Sequence, residues 1–353
     1  MIEKLSVKNF KSVKDLNLSC KQVNVFIGKP NVGKSNILEA LSVFSVPFEQ
    51  LPNQNLKDII RLRNNKNIFF DNQPALIEIK ADDVFSYLYQ NSSGGLTIEI
   101  GAGDISEYYN FERDGYFFSD DLFVNGSLSS KLQSSARITT GGESRLASAN
   151  KVQYPYQSSI LYYVFKKDTD LRLEKNDLLL PPHGSNLISV IRKDFKFLDE
   201  ISGLFEEYGL ELLVDDKENS FEIQKKINRT VFKYPFSLTA DTLQRMIFYM
   251  TAVETNQHTT IIFEEPETHS FPPYTRDLAM RIAASETNQF FISTHSPYML
   301  SSLIENLPYD KLNICLTYFK DYQTCVKILS QDETEDLINM SDSAFFNLER
   351  FIR

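Results

Sequence analysis

Apolar positions along this chain change period several times, and each change marks an element. "IEKLSVKNF" places Leu5 and Val7 at alternate positions and "VKDLNLSC" pairs with it, so residues 1–27 read as short strands. "QVNVFI" is a continuous β-branched and aromatic run, the pattern of a strand buried on both faces of a parallel sheet. Beyond Ser35, "NILEALSVF" spaces Ile37, Leu41 and Phe44 along one helix face. Strand character returns over 74–125 in "PALIEIKADD", "LTIEIGAGD" and "YYNFERDGYFFSDDLFV", with "SSGG" and "RDG" as hairpin turns. Residues 126–150 are rich in Ser, Gly and Thr and read as a mobile loop or linker.

Further on, Leu187, Val190, Ile191, Phe195, Leu198, Ile201 and Phe205 keep a helical period. Asn186 or Ser185 is the expected cap and Gly209 the stop. "LELLVDD" and "SFEIQKKI" read as strands. From 236, helix and strand alternate: "ADTLQRMIFYMTAVET", "TTIIFEE", "YTRDLAMRIAASE" and "QFFIST", then a hairpin of "LNICLTYF" and "TCVKILS". Such alternation predicts an α/β fold with a mostly parallel sheet covered by helices, an antiparallel β subdomain and an inserted mixed lid. The spans divide as 1–125, an N-terminal lobe; 126–235, loop and lid; and 236–353, a C-terminal lobe. No heptad run or internal repeat interrupts them.

Composition adds exclusions. At 353 residues and 42% hydrophobic content the chain can bury a large core. The N-terminus carries no signal-peptide stretch and no apolar run is long enough to span a bilayer, so a cytoplasmic protein is expected. Cys20, Cys315 and Cys325 are too scattered for a disulfide framework or a zinc site, and the four histidines lack metal-ligand spacing. A net charge of −10 argues against a dedicated nucleic-acid binder.

Three short stretches carry chemistry. "FIGKPNVGKS" sits between the buried strand and the helix. Gly28, Lys29, Pro30, Asn31, Val32 and Gly33 form a loop whose N–H groups can face phosphate oxygens. Lys34 supplies a cation for the β- and γ-phosphates, Ser35 a ligand for Mg²⁺, and Asn36, next along the helix N-terminus, is expected among the nucleotide-binding residues. "TTIIFEEPETHS" ends a buried strand in Glu264 and Glu265 at the carboxyl edge of the sheet. One carboxylate can hold Mg²⁺, directly or through water, and the next can orient and deprotonate an attacking water. "QFFISTHSPYML" ends a second such strand at His295, within reach of a γ-phosphate or that water.

The order of these motifs, with "VKNFKSVKDL", "LLPPHGSNL" and "SLTADTLQR", resembles the ABC/SMC-type P-loop ATPases. More narrowly it resembles the AAA15/AAA21 group, close to the ATPase part of OLD-family proteins. The resemblance implies that "FIGKPNVGKS" is Walker A and "IIFEE" is Walker B. Glu265 is then the catalytic carboxylate, His295 the switch histidine, and Ser35, Glu264 and the Q-loop glutamine Gln73 the Mg²⁺ ligands. It further implies that "TADTLQR" is a signature completing the partner's site, with Thr239 and the following helix N-terminus presented to the γ-phosphate, so that ATP bridges a head-to-tail homodimer. Asp241 stands where that signature usually carries glycine, Glu264 where Walker B usually has aspartate, and Phe271 where many relatives have a second histidine.

The expected function is therefore that of an ATP- and Mg²⁺-dependent ATPase, a sensor or motor for a separate effector protein. Bacterial anti-phage defence is the context suggested by analogy. A DNA-binding RecF/SMC-like maintenance ATPase is the alternative. No stretch after "KILS" matches the metal-dependent TOPRIM nuclease that follows in OLD proteins, so the effector activity is expected outside this chain. The acidic "QDETEDL" reads as a surface helix, and "SAFFNLERFIR" as a docking face or a helix packed on the core.

Overall fold

The computed structural model describes residues 1–45, 56–90, 95–103, 132–140, 146–150, 159–167, 169, 171–172, 175–215, 220–340 and 345–352. Its N-terminal strands β1 (Lys4–Phe10) and β2 (Val13–Ser19) pair antiparallel, as their alternation predicts. They join β4 (Ile77–Ala81), β5 (Val84–Gln90), β6 (Leu96–Gly103), β7 (Leu132–Thr140) and β8 (Leu146–Asn150) in one antiparallel sheet of order β2-β1-β4-β5-β6-β7-β8. β7 and β8 correct the expectation of a loop over 126–150. Ser-rich segments have weak strand propensity, but the open edge of β6 offers a ladder and the chain takes it. The aromatic stretch 108–124 and its "RDG" turn lie outside the described residues.

The second large sheet has order β16-β15-β3-β14-β13-β9. It takes β3 (Val23–Ile27) and β9 (Ile160–Tyr163) from earlier in the chain. The other members are β13 (Thr260–Glu264), β14 (Gln289–Ser293), β15 (Leu312–Lys320) and β16 (Gln323–Ile328). All neighbours are parallel except β16, which returns antiparallel beside β15. The sheet thus interleaves strands from all three spans drawn on the sequence.

Both faces of this sheet are buried. Phe26, Phe291 and Ile262 pack toward α1 (Lys34–Ser42) and the antiparallel sheet, joining Ile37, Leu41 and Phe44. Val25, Ile292 and Phe263 pack the other way, with α4 (Asp241–Thr255), α5 (Pro272–Ala284) and α6 (Pro297–Asn306). Period-2 alternation is present in these strands, but both sets are apolar because helices or strands cover each side.

The helix expected over 187–205 is two helices, α2 (Leu187–Ile191) and α3 (Phe195–Glu206). Asp194 makes the break: its carboxylate accepts from the N–H groups of Lys196 (2.9 Å) and Phe197 (3.1 Å) and starts α3 afresh. Asn186 precedes α2 without capping it, because its amide is spent on the backbone of Leu180 and Leu178. Gly209, at φ 66°, closes the turn after α3 as predicted. A third, small sheet follows: β10 (Glu211–Asp215), β11 (Ser220–Ile227) and β12 (Thr230–Pro235). After β16, α7 (Gln331–Asn339) opens with a Ser330–Glu333 capping box.

Candidate nucleotide site

Strand register assembles the site. Phe26 lies opposite Ser293, and Ser293 opposite Glu264, so β3, β14 and β13 end level with one another. The residues that follow, Gly28, His295 and Glu265, therefore leave the sheet at one edge. Two bonds pin the exits: the Thr294 N–H donates to the Phe26 carbonyl (3.1 Å) and the Glu265 N–H to the Ser293 carbonyl (3.0 Å). Glu265 adopts φ 43°, a left-handed conformation that a glutamate holds only when its surroundings impose it.

The loop of 28–33 is a shaped cradle. Gly28 (φ 153°), Asn31 (φ 62°) and Gly33 (φ 98°) turn the backbone. A Cβ on Gly28 would run into the Thr317 carbonyl and one on Gly33 into the Thr324 hydroxyl, so neither position tolerates a side chain. α1 begins at Gly33 with no side-chain cap, leaving its first N–H groups for an anion. Lys34 is buried and its ammonium donates to the carbonyls of Gly28 and Lys29, each at 3.0 Å. Burial lowers the pKa of Lys34, against the pull of Glu265, Glu264 and Glu267.

His295 Nε2 lies 3.6 Å from Glu265 Oε1. Burial and the Lys34 charge push the His295 pKa below its ordinary value, with Glu265 partly opposing, so the imidazole is neutral at pH 7. Lys34, Glu265 and His295, found at three separate places in the sequence, thus form one electrostatic unit.

Several contributors carried no signal of their own. Glu267 Oε1 accepts from the His295 N–H (2.8 Å) and the Thr294 hydroxyl (2.6 Å), which fixes the turn that presents His295. Its Oε2 is buried without a partner among the described residues, and burial raises its pKa. Thr324 of β16 donates to the Val32 carbonyl (2.9 Å) and touches the Ser12 hydroxyl (2.6 Å), bracing the loop from beneath. The Asn36 side-chain amide donates to the Ser12 hydroxyl (2.6 Å). Arg61 pairs with Glu264 Oε1 (2.9 Å) and Glu39 Oε1 (2.6 Å). A spacing argument cannot find these residues, since they meet through tertiary contacts.

Donors already engage both oxygens of Glu264, Arg61 on one and the Tyr162 hydroxyl on the other (3.2 Å). In either role the sequence allows, direct or through water, Mg²⁺ would share Glu264 with these two donors. Ser35 sits half-buried in the first turn of α1 beside Lys34. No group of three or more His, Cys, Asp or Glu among the described residues could hold a metal ion by itself. Gln73 lies exposed before β4, its N–H bonded to the Phe70 carbonyl, and no hydrogen bond or ion pair among the described residues ties it to the site.

The stretch 239–245 forms the start of α4. The Thr239 hydroxyl donates to the Phe236 carbonyl (2.7 Å), and Asp241 pairs with Arg245 (2.8 Å) and His269 (3.6 Å). Arg245 first, and His269 after it, hold the Asp241 carboxyl below the usual range. Asp241 thus has a structural partner where a glycine would leave open backbone. No hydrogen bond or ion pair among the described residues links 239–245 to the loop of 28–36 in the same chain.

A glycine cradle at a helix N-terminus, a buried ammonium beneath it, and a carboxylate–imidazole pair at the rim suit transfer of a phosphoryl group to water. The profile of the AAA ATPase domain family (AAA_15) matches residues 1–247. The chain belongs to the AAA ATPase domain family. An uncharacterized protein of Methanocaldococcus jannaschii, MJECL10, is 47% identical over 45 residues, 12% of this chain and 20% of that protein, so the match spans about a fifth of the relative's length. Among solved structures, the chain is similar to an SMC head bound to the C-terminal winged-helix domain of ScpA (TM-score 0.48, 15% identity, 95% of this chain and 99% of that one). It is similar also to the Pyrococcus furiosus SMC head with an extended coiled coil bound to the C-terminal domain of ScpA (TM-score 0.48, 13%, 96% and 98%). The SMC head domain of Thermotoga maritima gives a TM-score of 0.39 at 14% identity, over 93% and 99%. In this AAA ATPase domain no helix among the described residues is long and apolar enough to cross a membrane.

Proposed function

We propose that this AAA ATPase domain hydrolyses ATP with Mg²⁺, closes into a head-to-tail dimer on the nucleotide, and drives a separate effector protein. The juxtaposition of Lys34, Glu265 and His295 at one sheet edge carries the reading. The loop N–H groups and the Lys34 ammonium hold the β- and γ-phosphates and offset charge as the terminal phosphoryl group departs. Mg²⁺, when bound at Ser35, supplies further charge neutralisation there. Glu265 accepts a proton from the attacking water as the water oxygen bonds to the γ-phosphorus and the bond to the β,γ-bridging oxygen breaks, releasing ADP, and neutral His295 orients that water or donates to the γ-phosphate. Glu267 keeps His295 in place through its backbone.

The dimer reading draws on the family resemblance and on the start of α4, where Ala240 caps no N–H with a side chain. A bacterial, cytoplasmic role in defence against phage belongs to the same reading by analogy with relatives that lack a nuclease of their own. Glu265→Gln is the decisive variant. It should bind ATP like the unaltered protein and turn over about a hundredfold more slowly or worse, since a general base contributes on that order. Equal turnover would remove Glu265 from the role of base.

A further inference from the structure

The hairpin of β11 and β12 stands apart from the rest of this acidic chain. Residues 220–235 hold Lys225, Lys226, Arg229 and Lys233 against Glu222, a net +3 within a chain of −10. β12 is the edge of its sheet and all six of its residues are exposed. Lys225 lies over the rings of Phe232 and Tyr234, at 5.8 and 5.7 Å, while Ile227 and Val231 are about half exposed nearby. Lys233 is matched by Glu222 at 2.7 Å. Lys225, Lys226 and Arg229 have no ion-pair partner among the described residues. An open strand edge with exposed aromatic and cationic side chains calls for a cover.

The complementary surface lies at the other end of the chain. α7 carries Asp332, Glu333, Glu335 and Asp336 with no basic residue, a net −4. Lys327 takes Glu333 (2.7 Å). Asp332, Glu335 and Asp336 are exposed and pair with no cation among the described residues. The segment after α7 is tethered beside the nucleotide loop: Lys327 also donates to the Phe351 carbonyl (2.7 Å), Glu349 pairs with Lys29, and the Phe345 ring stands 6.4 Å from that of His295. Phe346 next to it is 87% exposed. Through Lys327, which binds both Glu333 and Phe351, the acidic helix is tied to the segment that flanks the loop of 28–36, and the basic hairpin runs directly into Thr239. When the loop of one subunit meets Thr239 of another, these two flanks approach each other.

We propose that the β11–β12 hairpin of each subunit docks on α7 and Phe346 of a second copy of this chain as the dimer closes on ATP. The inference rests on the head-to-tail reading above. Lys225, Lys226 and Arg229 face three unmatched carboxylates, Asp332, Glu335 and Asp336, while the exposed aromatic residues of both segments exclude water. Charge pairs at such a rim steer assembly and set its partner and register.

The test measures dimer dissociation by sedimentation with Mg²⁺ and a non-hydrolysable ATP analogue. Reversing the hairpin (Lys225→Glu, Lys226→Glu, Arg229→Glu) should raise the dissociation constant about tenfold or more, because like charges then meet. Reversing α7 (Asp332→Lys, Glu335→Lys, Asp336→Lys) should do the same. The two sets together should recover most of the loss, which simple misfolding cannot do. If the unaltered protein fails to dimerise on the analogue, the head-to-tail reading falls and takes this one with it. If it dimerises and the hairpin reversal changes nothing, the docking inference alone is wrong. If the combined variant stays weak, α7 is not the hairpin's partner. If hairpin reversal spares the dimer but abolishes anisotropy of a labelled oligonucleotide, the hairpin serves nucleic acid and the inference is overturned.

Discussion

Every residue of β3 and β14 is buried, whereas every residue of β12 is exposed. The two regions solve opposite problems. A parallel strand covered on both faces must be apolar throughout, so its polar chemistry is confined to the point where the chain leaves the sheet. Gly28, Glu265 and His295 stand at that point, and packing on both sides holds them there. The small sheet of β10, β11 and β12 has a packed inner end, at Phe221 and Ile223, and an outer end with little to bury. Its outer residues are free to carry charge and aromatic surface, at the cost of local stability. Rigid edges serve chemistry in this molecule, and loosely packed ones are left for encounter.

The contrast can be broken at its centre first. Lys34→Ala removes the buried cation under the cradle and should weaken ATP binding by about 3 to 5 kcal/mol, a loss of several hundredfold or more, read by calorimetry. Binding that survives intact would show that the loop N–H groups suffice. Next, Phe291→Ala in β14 should cost about 3 to 5 kcal/mol of folding stability, since the ring is fully buried, stacked on Phe26 in the core that includes α1.

A smaller effect concerns pH. His295 has its pKa lowered below 6.5, so its neutral form persists through neutrality and is lost only as pH falls further. ATP turnover should decline on the acid side with a midpoint below 6.5, and His295→Asn should abolish that limb in whatever turnover remains. The stability sign is fixed too: on acidification the unfolded chain takes up this proton before the folded one, so His295 lowers stability as pH falls through 6.5. A limb that persists in the Asn variant would point to another group. Smallest of all, Phe232→Ala on β12 should change monomer stability by less than about 1 kcal/mol, because the ring is 42% exposed. A cost near that of Phe291→Ala would mean that the outer hairpin is part of the core.

Legibility followed the same division. The buried strands "VNVFI", "TIIFE" and "QFFIS" were plain because no surface pattern dilutes them, and the motif residues at their ends came with them. β7 and β8 were read as loop, since Ser- and Thr-rich stretches become strands when a neighbouring edge pairs with them. The long apolar period of 187–205 concealed the break at Asp194, where a local carboxylate–backbone bond outweighs continuation of the helix. The bond from the Asn36 amide to Ser12 joins residues 24 positions apart and has no local pattern to announce it.

The sequence alone determined the local devices: a glycine loop between a buried strand and a helix, paired glutamates after a second buried strand, and a histidine after a third. These depend on residues adjacent in the chain, whose backbone preferences and spacing are readable in order. Tertiary structure decided which devices meet. Register between β3, β14 and β13 brings Lys34, Glu265 and His295 together, Glu267 turns back to hold the histidine, Thr324 arrives from β16 to brace the loop, and Arg61 occupies Glu264. Such encounters link residues up to 312 positions apart, and burial makes each partner's charge and hydrogen bonds depend on neighbours that no local pattern names.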